Sequence, residues 1–338
     1  MLEAWAARLF DGVVGVQRSR VEPVLSLDRV SIIGHDLTRP ESVHVGSDGS
    51  LLASQRAGGV TRIKADGSQR LIGRPGMQAN GHELIPNGIA PLPDGSFMIA
   101  NIGEGGGVWR LSPDGELTPH LMEVDGVFLA ATNFVKVDKE GRLWITVSTV
   151  SQPRFKAYSE TVKDGLIIVQ DDKGARIVAD DVCFSNECRI GPAGDDLYIS
   201  ETFARCVSRY RLAADGSLSN KEVFSQFGRG DFPDGCRFDA AGHLWLTCIV
   251  ANRVYRIAPD GSAVLVLEDC DDAHVDWVEE ALAAGRMGRE HFYETGGTIL
   301  RNVASIAFSA DGGQAYMGSL CGSGITTFTL DSDLRGAA

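Results

Sequence analysis

The sequence predicts an all-β fold: a single six-bladed propeller over residues 1–338, with four antiparallel strands in each blade. Two observations predict it. One segment recurs six times, its second residue falling at 41, 87, 133, 186, 234 and 304, so the intervals are 46, 46, 53, 48 and 70 residues. A strand-rich period of ~40–50 residues is the mark of a propeller. Glycine is also in excess, 40 of 338 residues, against an ordinary ~7%. Many glycines stand in Asp-Gly pairs, which close hairpins.

The elements follow in chain order. MLEAWAARLFDGVVGV, residues 1–16, reads as a short amphipathic helix with Leu2, Trp5, Ala6 and Leu9 on one face. Glu3, Arg8 and Asp11 interrupt it too often for a signal peptide. The six units then begin at Pro40, Pro86, Thr132, Ser185, Pro233 and Val303. Each opens with a short apolar stretch and turns at Asp48-Gly49, Asp94-Gly95, Glu140-Gly141, Gly194-Asp195, Ala241-Gly242 or Asp311-Gly312. Each returns along an alternating strand such as Leu143-Trp144-Ile145 or Leu244-Trp245-Leu246. Further strands and turns follow, as in VTRIKADGSQRLI from Val60 and VYRIAPDGSAVLVL from Val254, which fills out four strands per unit. The longest interval holds an insertion at about residues 269–301. There Asp271-Asp272 caps a helix with Val275, Val278 and Leu282 on one face and Gly285 near its end. It decorates the rim or forms a lid over the channel.

Composition narrows the function. Lys and Arg total 32 and Asp and Glu 45, a net charge of −13, so nucleic acid is not an expected partner. No apolar run reaches the ~18 residues of a membrane span. Seven scattered cysteines, without a C-x-x-C, suit a reduced, cytoplasmic setting. Oligomeric state is left open by the sequence.

Propeller symmetry places equal indices at equal height and radius around the central channel. The second residue of each unit is Glu41, Asn87, Asn133, Asn186, Asp234 or Ala304. Carboxylates and amides converging in a narrow channel repel unless a cation sits among them. An oxygen-only set suits one hard divalent ion, most simply Ca²⁺, with Zn²⁺, Mn²⁺ and Fe²⁺ as alternatives. Asn87-Gly88 and Asp234-Gly235 also read as turn dipeptides, a reading that fails for Glu41-Ser42, Asn133-Phe134 and Asn186-Glu187.

These residues carry a resemblance. From about residue 30 to 330 the chain resembles the senescence-marker-protein (regucalcin)/gluconolactonase family, six-bladed propellers with one divalent metal in the channel. TNFVKVDKEGRLW, around Asn133, is similar to the family's N-D-G-x-x-D-x-x-G-x-x-W segment. FSNECRIGPAGDDLYISET, around Asn186, resembles its S/P-N-G segment, and FPDGCRFDAAGHLW, around Asp234, its P-D-G-x-x-x-D-x-x-G-x-L-W stretch. Glu41 takes the place of the Glu in the first-blade E-G-P motif. The resemblance implies metal ligands Glu41, Asn133, Asn186 and Asp234. Departures occur at Ser42, Val43 and Val45, at Phe134-Val135, at Ala131 where sugar-lactone members have Arg, and at Glu201 where they have Asp. Phe128, Phe134, Phe184 and Phe203 lie close to these positions. Together they imply a lactone less polar than a simple sugar lactone.

The implied activity is metal-dependent hydrolysis of a lactone or ester. The metal polarises the carbonyl and an acid activates water. Asp234 is the expected general base, with Glu201 as a second candidate. Asn87, His82, Phe134, His291 and Asn302 are expected at the substrate. A Ser-nucleophile elbow, G-x-S-x-G, does not occur. His82-Glu83 has no second His at zinc spacing. The rival reading is a non-hydrolytic propeller: a strictosidine-synthase-like lyase or isomerase, or a metal- or ligand-binding protein.

Overall fold

Six four-stranded antiparallel sheets ring a central channel in the computed structural model, which describes residues 22–335. The helix expected over residues 1–16 lies outside the described residues. Blade 1 runs Val43–Val45, Leu51–Gln55, Gly59–Ile63 and Gln69–Ile72 from channel to rim. Blades 2 to 5 repeat this order, their innermost strands being Pro86–Pro91, Thr132–Val137, Ser185–Ile190 and Asp231–Phe238. Blade 6 takes Val303–Phe308, Gln314–Ser319 and Ile325–Thr329 from the end of the chain. Its outermost strand, Ser31–Ile33, comes from the beginning, so the chain's two ends close the ring within one sheet.

The turns explain the glycine excess. Gly49 sits at φ +76°, where a side chain would be strained. Asp48 before it accepts from the Ser50 amide at 3.1 Å and the Ser50 hydroxyl at 2.6 Å, an Asx turn that holds the hairpin. The two D-x-x-G-x-x-W segments are clamps of the same kind. Asp138 accepts from Trp144 Nε1 at 2.8 Å and Asp239 from Trp245 Nε1 at 2.9 Å, and each also takes turn amides.

Apolar side chains fill the spaces between blades. Trp245, Val254, Ile306, Met317 and Phe328 form one such layer between blades 5 and 6. Each large side chain so buried contributes ~1.5–3 kcal/mol. The blades are therefore held by their faces, and the channel is free to carry polar groups. The insertion forms two helices, α1 (Asp272–Ala283) and α2 (Glu290–Tyr293). Asp271 caps α1 by accepting from the His274 amide at 3.0 Å. Val275, Val278, Met287 and Phe292 pack on Phe203, Phe232 and Ile249 at one mouth of the channel.

Candidate active site

The innermost strands bring five oxygen-bearing residues to one level. Glu41, Asn87, Asn133, Asn186 and Asp234 are all buried, at 1–4% exposure. In blades 2 to 6 the strand register shifts just at or after this level, for example between Pro233 and Cys236. Such bulges re-aim side chains next to functional sites. Gly88 and Gly235 follow two of the five and are not turn residues. A Cβ at Gly235 would stand 2.3 Å from Ala304 O, and one at Gly88 2.7 Å from Phe134 Cα. They let neighbouring inner strands approach closely.

The five residues are not equivalent. Asn87 turns its amide oxygen to Arg39 Nη2, 2.7 Å away. Its Nδ2 donates to Glu41 Oε1 at 2.9 Å, to Asn133 O at 2.9 Å and to Asn133 Oδ1 at 3.1 Å. It is a strut between ring members and presents N–H where a cation needs an acceptor. Asn133 and Asn186 point their amide nitrogens outward, to Ser148 Oγ at 2.9 Å and Thr202 Oγ1 at 3.2 Å. That leaves Glu41 Oε2, Asn186 Oδ1 and Asp234 Oδ1 buried with no donor. Orphaned buried acceptors are costly unless a ligand completes them. The orphaned set, two carboxylate oxygens and one amide oxygen, fits a hard cation, with Asn133 Oδ1, which accepts from Asn87, beside it on the ring.

The electrostatics agree. Burial raises the Asp234 carboxyl to about 7, with Glu187 adding to the rise and Arg39 and Asn186 opposing it. Burial likewise holds Glu41 well above the usual carboxylate range, helped by Asp234 and opposed first by Arg39.

Glu41, Asn186 and Asp234 border a cavity of ≈ 40 Å³, walled by Tyr158, Phe184, Phe292 and Leu320. That is room for an ion or a few waters. Arg39, Arg154 and Arg289 also line it. Ile102, Arg154 and Arg289 are shared with a second cavity of ≈ 370 Å³, which continues past His82, Glu104, Ala131 and Gln152. Among the described residues none of the three arginines makes a salt bridge, and Arg39 Nε, Arg39 Nη1 and Arg154 Nε are buried without an acceptor. Arg154 donates to Ile102 O and Tyr293 Oη, each at 3.3 Å.

The remaining sequence-selected residues lie elsewhere. Glu201 is buried, its oxygens taken by the Cys183 amide at 2.7 Å, by Ser208 and by Lys221 Nζ at 2.9 Å. Those partners lie within blade 4 and its approach, away from the cavity. Phe134 packs in the layer between blades 3 and 4, beneath the Arg189 guanidinium at 4.5 Å. His291 stacks on Trp277, centroids 4.2 Å apart, and its Nδ1 meets the Gly288 amide at 3.0 Å. Asn302 ties the insertion down, donating to Phe292 O at 2.8 Å and Glu294 O at 2.9 Å. His82 is half exposed, 3.6 Å from Glu104, at the edge of the second cavity. All seven cysteines are free thiols. Among the described residues no helix is long and apolar enough to cross a membrane.

Arg39, Arg154 and Arg289 escaped the sequence reading. Arg39 was within reach of it. It stands two places before Glu41, the same index that in blade 3 holds Ala131. Blade 1 thus supplies, at an equivalent level, a guanidinium that blade 3 lacks. Arg154 lies in a loop and Arg289 in the insertion, where the repeat gives no index.

Residues 86–268 match the family described as SMP-30/Gluconolactonase/LRE-like region. Over 173 residues the chain is 31% identical to a 6-deoxy-6-sulfogluconolactonase of Pseudomonas putida, covering 50% of this chain and 56% of that protein. Over 221 residues it is 26% identical to the protein strictosidine synthase-like 4 of Arabidopsis thaliana, covering 63% of this chain and 57% of that one. The chain therefore spans a little over half the length of the curated relatives it matches. A gluconolactonase from Xanthomonas campestris, XC5397, superposes with a TM-score of 0.64 at 17% identity over 88% of each chain, which establishes a shared fold.

Proposed function

The chain belongs to the SMP-30/gluconolactonase/LRE-like family, and from that premise we propose that it hydrolyses a lactone with the help of one divalent cation. One observation carries the reading: the orphaned oxygens of Glu41, Asn186 and Asp234 converge on the floor of a walled cavity. Glu41, Asn133, Asn186 and Asp234 would hold the ion, Ca²⁺ by their chemistry, and it would polarise the ester carbonyl as a Lewis acid. Asp234 takes a proton from the attacking water and returns it to the departing ring oxygen, so a lactone and a water become a hydroxy acid. The free Nε and Nη1 donors of Arg39 stabilise the oxyanion as it forms. Asn87 holds Arg39, Glu41 and Asn133 in register. Glu201, fully engaged elsewhere, supports the fold.

The substrate reading follows from the walls. Tyr158, Phe184, Phe292 and Leu320 favour an apolar lactone face over a polyhydroxylated one, while Arg154 and Arg289 at the junction of the two cavities favour a negative substituent. The sulfonated lactone in the name of the Pseudomonas putida relative is consistent with the latter. The similarity to a strictosidine-synthase-like protein keeps a non-hydrolytic reading in view, against which the unpartnered oxygen set speaks.

A pH-stat screen of γ- and δ-lactones, neutral and anionic, tests the proposal. Turnover is expected to vanish on chelation and return with added Ca²⁺, and Asp234→Asn should lower kcat at least ~10²-fold with the fold intact. Full activity after chelation would sink the metal role. No turnover of any lactone by cation-loaded protein would sink the hydrolase.

A further inference from the structure

The inner strands carry a second ring, three residues after the first: His44, Ala90, Lys136, Arg189, Arg237 and Ala307. Strand register makes the six positions equivalent, since they pair with Leu52, Met98, Trp144, Tyr198, Trp245 and Tyr316. Side chains three apart on a regular strand point to opposite faces. In blades 2 to 6 a register shift at or just after the first level adds one residue and restores the same facing, so in these blades both rings address the channel. The bulge lets three residues advance the strand by only about two, so at ~3.3 Å per residue the second ring lies ~7 Å further along the axis.

Four of its six members are basic types. His44 is 7% exposed. Arg189 Nη2 is paired with Glu187 Oε2 at 2.6 Å, and its Nε is buried without an acceptor. Lys136 and Arg237 make no hydrogen bond or salt bridge among the described residues. Three permanent or near-permanent cations thus face Glu187, with Asp138 also attracting Lys136, and neither Lys136 nor Arg237 has a hydrogen-bonded counter-ion among the described residues. Burial first, then Arg189 and Arg237, depress the Lys136 ammonium to about 8; burial and Arg189 depress Arg237 to about 10. Burial and the same three cations hold His44 neutral.

The ring is reachable from the face opposite the oxygen site. Arg237 borders an open groove of ≈ 710 Å³ with Gly46, Asp239 and Ser309, and Lys136 and Arg189 border another of ≈ 290 Å³ with Trp144. We propose that this end of the channel binds a small divalent oxyanion of the phosphate or sulfate class between Lys136 and Arg237, with Arg189 and His44 completing the ring. Two cations of one ring, neither with a hydrogen-bonded carboxylate, match a doubly charged anion, and Arg237 offers the planar fork that oxyanions favour. The site is independent of the lactone reading. It requires only that the second ring face the channel.

The test is thermal unfolding and titration calorimetry of the full chain in chloride-balanced buffers of constant ionic strength. The arms are inorganic phosphate, sulfate and glycerol phosphate. Phosphate should raise Tm saturably and bind with measurable heat. Arg237→Gln and, separately, Lys136→Met should abolish that response and, without phosphate, melt above the parent because repulsion is relieved. A stronger response to glycerol phosphate would identify the ligand as a phosphate monoester, and an equal one as the free ion. A Tm rise of equal size in the parent and both variants would be general exclusion of the salt from protein surface and would overturn the proposal. So would the absence of any saturable response, or variants less stable than the parent in phosphate-free buffer.

Discussion

At the scale of single residues, two buried acids in neighbouring blades have separate fates. Asp234 has an oxygen with no donor and faces the cavity. Glu201 has both oxygens engaged by Lys221, Ser208 and a backbone amide. Glu201→Gln is therefore expected to cost about 1–3 kcal/mol of stability by leaving buried donors poorly matched, while kcat stays within twofold of the parent below the melting range. A lactone assay beside a urea titration measures both, and a selective fall in kcat would return Glu201 to the chemistry. In sequence the two acids looked alike, because each follows a motif on an inner or adjacent strand. What separated them was the set of donors each one meets, which depends on long-range packing. Ring indices were legible because symmetry converts a repeat position into a place in space. Arg154 and Arg289 were not, because loop and insertion residues have no symmetry partner.

Single strands and turns bring a different lesson. The D-x-x-G-x-x-W segments, among the strongest resemblances in the sequence, clamp hairpins at Asp138 and Asp239 and take no part in the site. The functional residues sit at the other end of the same strands. Gly235 is the sensitive point there: an added Cβ would strike Ala304 O at 2.3 Å and Ser305 Cα at 2.5 Å. Gly235→Ala should cost about 1–3 kcal/mol by overpacking and displace Asp234, so that Ca²⁺ affinity measured by calorimetry falls with stability. Retained affinity at full stability would refute the close-packing role. The inner strand Thr132–Val137 bears a second measurable consequence. Lys136 is held to about 8 against an ordinary 10.5, by burial, Arg189 and Arg237, with Glu187 and Asp138 opposing and His44 close by. Between about 8 and 10.5 the unfolded chain binds more protons at this site than the folded one, so its contribution to stability rises with pH across that window. In phosphate-free buffer the Tm advantage of Lys136→Met should be largest below pH 8 and shrink toward pH 10.5. A difference independent of pH would contradict it. The helix at Asp272–Ala283 was legible from its cap, and the sequence offered both the rim and the channel mouth as its seat; it could not choose between them, since an amphipathic pattern tells which face is buried and not against what.

For the whole molecule, six blades were countable from the spacing of 41, 87, 133, 186, 234 and 304 alone. The closure was not, because Ser31–Ile33 is three residues long and its partner lies almost 300 residues away. A chain beginning at residue 34 is expected to lose the outer strand of blade 6 and leave Ile325–Thr329 as a bare edge, open to pairing with other molecules. Scanning calorimetry should show a calorimetric enthalpy exceeding the van't Hoff value, the sign of broken cooperativity. A single two-state transition at the parent's Tm would contradict it.

The same closure has a mechanical meaning. Three residue pairs, Ser31–Thr327, Ile32–Thr326 and Ile33–Ile325, and the fork between Arg29 and Asp331 join the ends. Because the pair is antiparallel, both ends of the chain leave it on the same side. A load applied between them peels the pairs one after another instead of shearing them together. Pulled by its termini, the ring should open at the sixth blade under small force, and the remaining blades should then unravel in turn from the freed edge.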